Sequence, residues 1–472
     1  MGKNPICIKG FEMQKTSRFL DPNSEMIALA SYSNTKNLLV TAIEIKGPVD
    51  EGLLRPCVIG ALEGFPQLRS CLKEIRKTGR HHLYWHPNPD VEFPVSVSDL
   101  KDHEASTPIF DAVLSHLAPR LDRDWDLFEE LPGEVHFVRI SQDHRIAVVV
   151  THHAVFDAAT ASEFGRQCVL QYRELLTGIR EDFPGLKTHG LSTSRKRTVK
   201  IRKGKWDDMI NSARLAVRPL IWKPALPSGT GIPKDQKQYH IKRLFTVEET
   251  ARLVMSTQKR GQALIDLLAA ASNLAIDRWN KRRNVETGTV TTALTVNIRD
   301  RYQSLDHSNN VSAFFFESNS NDRKDPKQLV RSLATSRIRQ LRKQMDLTEH
   351  KNVARMIACA SLLPFEVRRK IVHYVTQKHQ YSIAITLLGV VWPVMKNGKP
   401  TFDSYPTDVR DSRISEIHGT GYKHLTSTPL VLIVYSFLKR LNLVLAASAS
   451  LFTREEAEAF MDLFMYVLRE DI

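Results

Sequence analysis

This chain is short of the residues that would staple, export or anchor it. Five of its 472 residues are cysteine. Cys7, Cys57, Cys71, Cys168 and Cys359 are scattered, odd in number and never spaced CxxC, which argues for buried thiols in a reducing, cytoplasmic setting over a disulfide framework. The opening Met1-Gly2-Lys3-Asn4-Pro5 lacks the long apolar core of a secretory signal. A myristoylation signal at Gly2 would want Ser or Thr where Ile6 stands. The stretch 430–452 is apolar enough to raise the question of a membrane span, but Lys439 and Arg440 interrupt it, and charge at a bilayer centre is costly. Two antiparallel strands joined at 439–442 fit better, so no transmembrane segment is expected. No GxSxG element is present, which removes the usual serine-hydrolase elbow, and no internal repeat is visible.

What is abundant is positive charge. Lysine and arginine total 67 against 52 acidic residues, a formal charge of +15, in a chain that is 42% hydrophobic and 25% charged. Those proportions describe a globular protein long enough for two cores. Seven basic residues gather at Arg195, Lys196, Arg197, Lys200, Arg202, Lys203 and Lys205, within a segment bounded by Pro and Gly. That segment, 183–236, reads as a linker or crossover between an N-terminal lobe, 1–182, and a C-terminal lobe, 237–472. A surface helix is expected over 206–222. The basic residues are spread through helices and linker and are not interleaved with aromatics on a sheet, so no nucleic-acid partner is expected. A phosphate-bearing thioester or an acidic carrier protein suits the charge equally well.

The chain is organised around 146–160. A nearly unbroken β-branched run over 146–151 predicts a strand buried on both faces. Thr160-Ala161-Ser162-Glu163 has the form of a capping box, and Phe164, Cys168, Tyr172, Leu175 and Leu176 share one helical stripe, so a helix is expected from about Thr160. The turn between them carries His152, His153 and Asp157. An imidazole at the end of a rigid strand is well held for chemistry, and His153 is the candidate general base. Adjacent residues on a strand face opposite ways, so His152 and His153 cannot both enter one channel. His82 and His86 have i, i+4 spacing, but Gly79, Pro87 and Pro89 bracket a strand-like run, and no metal site is expected there.

His152-His153-Ala154-Val155-Phe156-Asp157 resembles the HHxxxD motif of the chloramphenicol acetyltransferase superfamily, which includes peptide condensation domains, plant acyltransferases and alcohol or polyketide-associated acyltransferases. Pro66-Gln67-Leu68-Arg69 is similar to an element near the start of condensation-type domains. Val296-Asn297-Ile298-Arg299, closing a strand at 290–296, and Asn309-Asn310-Val311, opening the next, are similar to elements of their second half. Ala158 stands where the family usually has Gly, Thr386-Leu387-Leu388-Gly389 stands where it often has Ser-Asn-Leu-Gly, and Asp403-Ser404-Tyr405-Pro406 replaces the plant branch's DFGWG box.

The resemblance covers about 40–468. It implies an α+β fold of two chloramphenicol acetyltransferase-like lobes, each a mixed sheet with flanking helices, with a tunnel between them. It implies an acyltransferase of secondary metabolism that moves an acyl group from acyl-coenzyme A or an acyl carrier protein to an alcohol or amine, with no permanently bound cofactor. A free-standing condensation domain, or an inactive binding protein on the same scaffold, are the alternatives. His153 would be the base and His152 its supporting neighbour. Asp157 would pair with an arginine that holds the turn, Arg299 being the first candidate and Arg69 the second.

Overall fold

The computed structural model describes residues 18–32, 36–100, 108–179, 223–232, 237–298, 309–376, 381–396, 399–404, 408–409, 411–422, 428–470 and 472. In chain order the strands are β1 (Arg18–Phe19), β2 (Leu38–Lys46), β3 (Ser70–Lys77), β4 (Arg80–Pro87), β5 (Val95–Asp99), β6 (Gly133–Ser141), β7 (His144–His152), β8 (Gln238–Leu244), β9 (Val290–Asn297), β10 (Val311–Ser318), β11 (Ile383–Val390), β12 (Pro393–Lys396), β13 (Lys399–Ser404), β14 (Asp408–Val409), β15 (Ser412–Tyr422), β16 (Leu430–Phe437) and β17 (Arg440–Ser448). The α-helices are α1 (Pro22–Ser31), α2 (Leu54–Leu62), α3 (Ile109–Leu121), α4 (Ala158–Thr177), α5 (Val247–Lys259), α6 (Leu264–Lys281), α7 (Pro326–Arg342), α8 (Met345–Ala360), α9 (Phe365–Thr376) and α10 (Arg454–Glu470).

Two six-stranded mixed sheets form two lobes, in the orders β14-β15-β2-β7-β6-β5 and β10-β9-β11-β16-β17-β8. The expected α+β, two-lobed architecture is present. Two strands depart from the division at 237: β14 and β15 come from the C-terminal half yet belong to the first sheet, where β15 pairs along β2 with Gly419 opposite Thr41. The periodicity of a strand shows which of its faces is buried, but not which sheet it joins.

The β-branched run in β7 forms the expected strand because both of its faces are covered. Ala147 and Val149 pack toward α2 and α4, while Ile146, Val148 and Val150 pack on α3. The first of these clusters continues into the second lobe through Val431, Ile433 and Tyr435 of β16, so the lobes share a core. Behind the second sheet, α6, α7 and α10 bury the other face. Among the described residues no helix is long and apolar enough to cross a membrane. The apolar stretch 430–452 is instead the hairpin β16–β17, turning at Leu438-Lys439, both with positive φ (50° and 62°). The turn therefore lies a residue or more earlier than 439–442. Thr246 and Glu249 form the capping box their spacing suggests. The helix expected at 206–222 and the basic cluster lie outside the described residues.

Candidate active site

The turn after β7 is fixed from four directions. The three residues after His153 are anchored in the core: Ala154, Val155 and Phe156 are at most 2% exposed, and the Phe156 ring meets Phe65 edge-on at 5.6 Å. The His153 amide donates to the Asn37 carbonyl at 2.7 Å. The His153 carbonyl accepts from the Asn309 side-chain amide at 2.6 Å, and that amide also donates to Ser24 Oγ of α1 at 3.0 Å. On the ring, Nδ1 lies 2.9 Å from the Phe156 carbonyl oxygen. A carbonyl can only accept, so Nδ1 carries the proton and Nε2 is the basic nitrogen.

The two histidines part as their strand geometry demands. His153 is half-buried and lines a chamber of about 270 Å³ between the lobes. His152 is fully buried and absent from that wall. Its Nδ1 accepts from the Ala154 amide at 3.0 Å. Burial, reinforced by the neighbouring charge of His153, pushes His152 down to about 3, so it stays neutral.

Asp157 is the residue that caps α4, one turn before the expected start. Its Oδ1 accepts from both the amide and the hydroxyl of Thr160 at 3.0 Å, and its Oδ2 accepts from the Asn310 amide at 3.3 Å. The Thr160 box does not form, because the threonine hydroxyl is spent on Asp157 and Glu163 binds Arg166 instead. Ala158 then occupies the first helical position and has no positive φ, so its methyl brings no backbone strain; it lines the chamber. Arg299 lies outside the described residues. Arg69 is not at the turn: it is exposed and reaches the Pro89 carbonyl at 3.5 Å.

The chamber is built by both lobes. Met26 and Ile27 of α1, Leu39 and Thr41 of β2, and Ala161 of α4 supply one side; Thr386 and Leu388 of β11 with Ile433 and Tyr435 of β16 supply the other. β15 closes it, held to the second lobe by Tyr435 Oη, which donates to the Ile417 carbonyl at 2.6 Å, and by Lys242 Nζ, 2.5 Å from Glu416. Burial alone would raise the Glu416 carboxyl, but the His418 hydrogen bond and the Lys242 ammonium outweigh it and hold it down to about 2. His82 and His86 sit on strand β4, paired with Ile75 and Cys71. Among the described residues no group of three metal-binding side chains occurs.

The sequence did not assign roles to Asn37, Ser24 or Asn309. The Asn309-Asn310 pair was visible as a motif, but its task required knowing that β10 starts beside the β7 turn. Asn37 and α1 carry no pattern that separates them from ordinary loop and surface residues.

The sequence matches no family model and no curated relative. The structure, by contrast, is similar to solved condensation-type domains over nearly its whole length. The first condensation domain of the CDA synthetase superposes with a TM-score of 0.70 at 12% identity, covering 97% of each chain. The epimerization domain from the third module of tyrocidine synthetase B gives 0.62 at 16% identity, covering 97% of each. A variant of the starter condensation domain of rhizomide synthetase, solved in complex with C8-CoA, gives 0.64 at 13% identity, covering 97% of this chain and 95% of that one. At such identities the likeness establishes a shared fold, the two-lobed fold that the HHxxxD resemblance implies.

Proposed function

We propose that this protein is an acyltransferase that moves an acyl group from a thioester, acyl-coenzyme A or an acyl carrier protein, to a hydroxyl or amine, with His153 as general base. The observation that carries this reading is the His153 ring on the wall of an interlobe chamber, with its Nδ1 proton committed to the Phe156 carbonyl. A thioester is already activated, so the protein's task is to remove the acceptor's proton as it attacks. His153 Nε2 takes that proton while the new C–O or C–N bond forms at the acyl carbon. The C–S bond then breaks, and the imidazolium returns the proton to the departing sulfur, leaving a thiol and a neutral ring. No outside oxidant, metal or permanent cofactor enters this balance.

In this reading Asp157 is a positioning residue. Its oxygens serve the Thr160 and Asn310 amides and the helix cap, not the His153 ring. His152 is a neutral, buried support. The similarity to a domain solved with C8-CoA supports a coenzyme A donor. The predominance of condensation-type domains among the similar structures favours a second reading, amide formation between carrier-bound groups on the same machinery.

The test is thiol release from a panel of acyl-coenzyme A donors, and from the same acyl groups on a carrier protein, with alcohol and amine acceptors. His153→Ala is expected to cost on the order of 10²- to 10⁴-fold in acceptor-dependent rate with an unchanged melting curve. Equal rates for the two proteins would remove His153 from the mechanism. Turnover confined to carrier-bound donors and amine acceptors would select the condensation reading.

A further inference from the structure

Gly419 sits on the chamber wall, and the alternation of β15 shows which way that position faces. His418 stacks on Phe110 of α3, ring centroids 4.7 Å apart and planes at 14°, so at 418 the strand faces α3. Ile417 packs in the core shared by the lobes. Position 419 therefore faces the chamber, beside its cross-strand partner Thr41.

Glycine here is required by neither backbone nor packing. Gly419 is not among the positive-φ glycines, and a Cβ built on it meets nothing within 4 Å among the described residues. Gly231 shows the opposite case, since a Cβ there would collide with the backbone of Ala449 and Leu451. What the missing side chain at 419 leaves is room. The chamber around it is mostly apolar, and its described lining holds no Asp, Glu, Lys or Arg. A charged group entering it would lose its hydration without gaining a partner. At about 270 Å³ the space equals on the order of nine water volumes, enough for a medium-length chain.

We infer that the chamber receives the uncharged, hydrocarbon-rich acyl chain of the thioester, and that Gly419 sets the length accepted. This assignment rests on the acyl-transfer reading for the identity of the ligand, but its test does not depend on turnover. Calorimetric binding of S-acyl-N-acetylcysteamine thioesters with straight chains of two to twelve carbons gives the length profile directly. The wild-type protein should tighten by about fourfold per methylene up to a break, and should bind an octanoyl chain bearing a terminal ammonium at least about tenfold more weakly than octanoyl itself. Gly419→Ala, Gly419→Val and Gly419→Leu should move the break stepwise to shorter chains while acetyl binding stays within about twofold; the alanine and valine variants keep the series readable if leucine fails to fold.

An unmoved break across folded variants, or equal binding of the ammonium analogue, would each overturn the inference. Failure of transfer in the wild type, with the length profile and its Gly419 dependence intact, would instead sink the chemistry given to His153 and leave the chamber's specificity standing.

Discussion

The two lobes contain the same unit, and the copies differ in what covers the turn. In the first lobe the hairpin β6–β7 runs through five residues, 153–157, into α4; in the second, β16–β17 runs through five residues, 449–453, into α10. The local hydrogen bonds repeat. The His152 ring accepts from the amide two residues on, and so does the Ser448 hydroxyl. The His152 and Ser448 carbonyls each accept from the amide three residues on. Asp157 caps α4, and Thr453 forms a capping box with Glu456 at the head of α10.

What differs is the covering. The Ala449 and Leu451 carbonyls accept from the Ile232 and Gly231 amides of the extended segment 223–232, which approaches so closely that Gly231 has no space for a side chain. The corresponding carbonyl of His153 is held by one amide of Asn309, and its ring stands on the chamber wall. A turn sealed by backbone can be built from Ala, Ser and Leu. A turn left facing a chamber can present an imidazole there, and this one is held by the Asn309 side chain, the Asn37 carbonyl and the Asn310 amide.

Breaking the two caps should separate them most clearly. Asp157→Ala removes a helix cap and strands the buried Asn310 amide, a loss of about 3 kcal/mol in chemical denaturation, and should reduce acyl transfer by more than about tenfold as the turn loosens. Survival of both stability and rate in that variant would show that the carboxylate does not hold the turn.

Acid should also distinguish the units, because His152 has a titratable ring where Ser448 has none. His152 has its pKa depressed when folded, to about 3, against about 6.5 unfolded. The unfolded chain therefore takes up the proton first, and the stabilising contribution is lost as pH falls below about 6.5 toward 3. The cost by pH 5 is on the order of 2 kcal/mol. His152→Gln should flatten that part of the stability curve and leave the acid slope due to Glu416, which lies lower, in place. Asn309→Ala comes next, at about 1–2 kcal/mol, with kcat falling and KM for the donor little changed, since the residue holds the turn and does not touch the chamber. The smallest effect belongs to the sealed unit: Thr453→Ala should cost about 1 kcal/mol and leave the rate alone.

Much of this was legible in the sequence. A β-branched run announced β7, and doubled histidine at its end announced the turn. The boxes of Thr246 with Glu249 and of Thr453 with Glu456 are of the kind a sequence carries, because a cap is decided within four residues. The start of α4 was misplaced for the same local reason: Asp157 and Thr160 are both competent caps, and the choice went to the aspartate that could also reach the Asn310 amide of the other lobe. Strand exchange by β15, the grip of Asn309 and the composition of the chamber were not legible, since each joins residues far apart in the chain. Arg69, the second candidate for the partner of Asp157, reaches the Pro89 carbonyl instead.

The central claim is that His153 presents a nucleophilic, basic nitrogen to an acyl group lodged between the lobes. Affinity labelling with S-bromoacetyl-N-acetylcysteamine tests it most directly, because a bound bromoacetyl group alkylates a neutral imidazole within reach. Peptide mapping should find an adduct on His153 that an octanoyl thioester suppresses, alongside an adduct on exposed Cys359 that it does not. Labelling of Cys359 with His153 untouched would contradict the account.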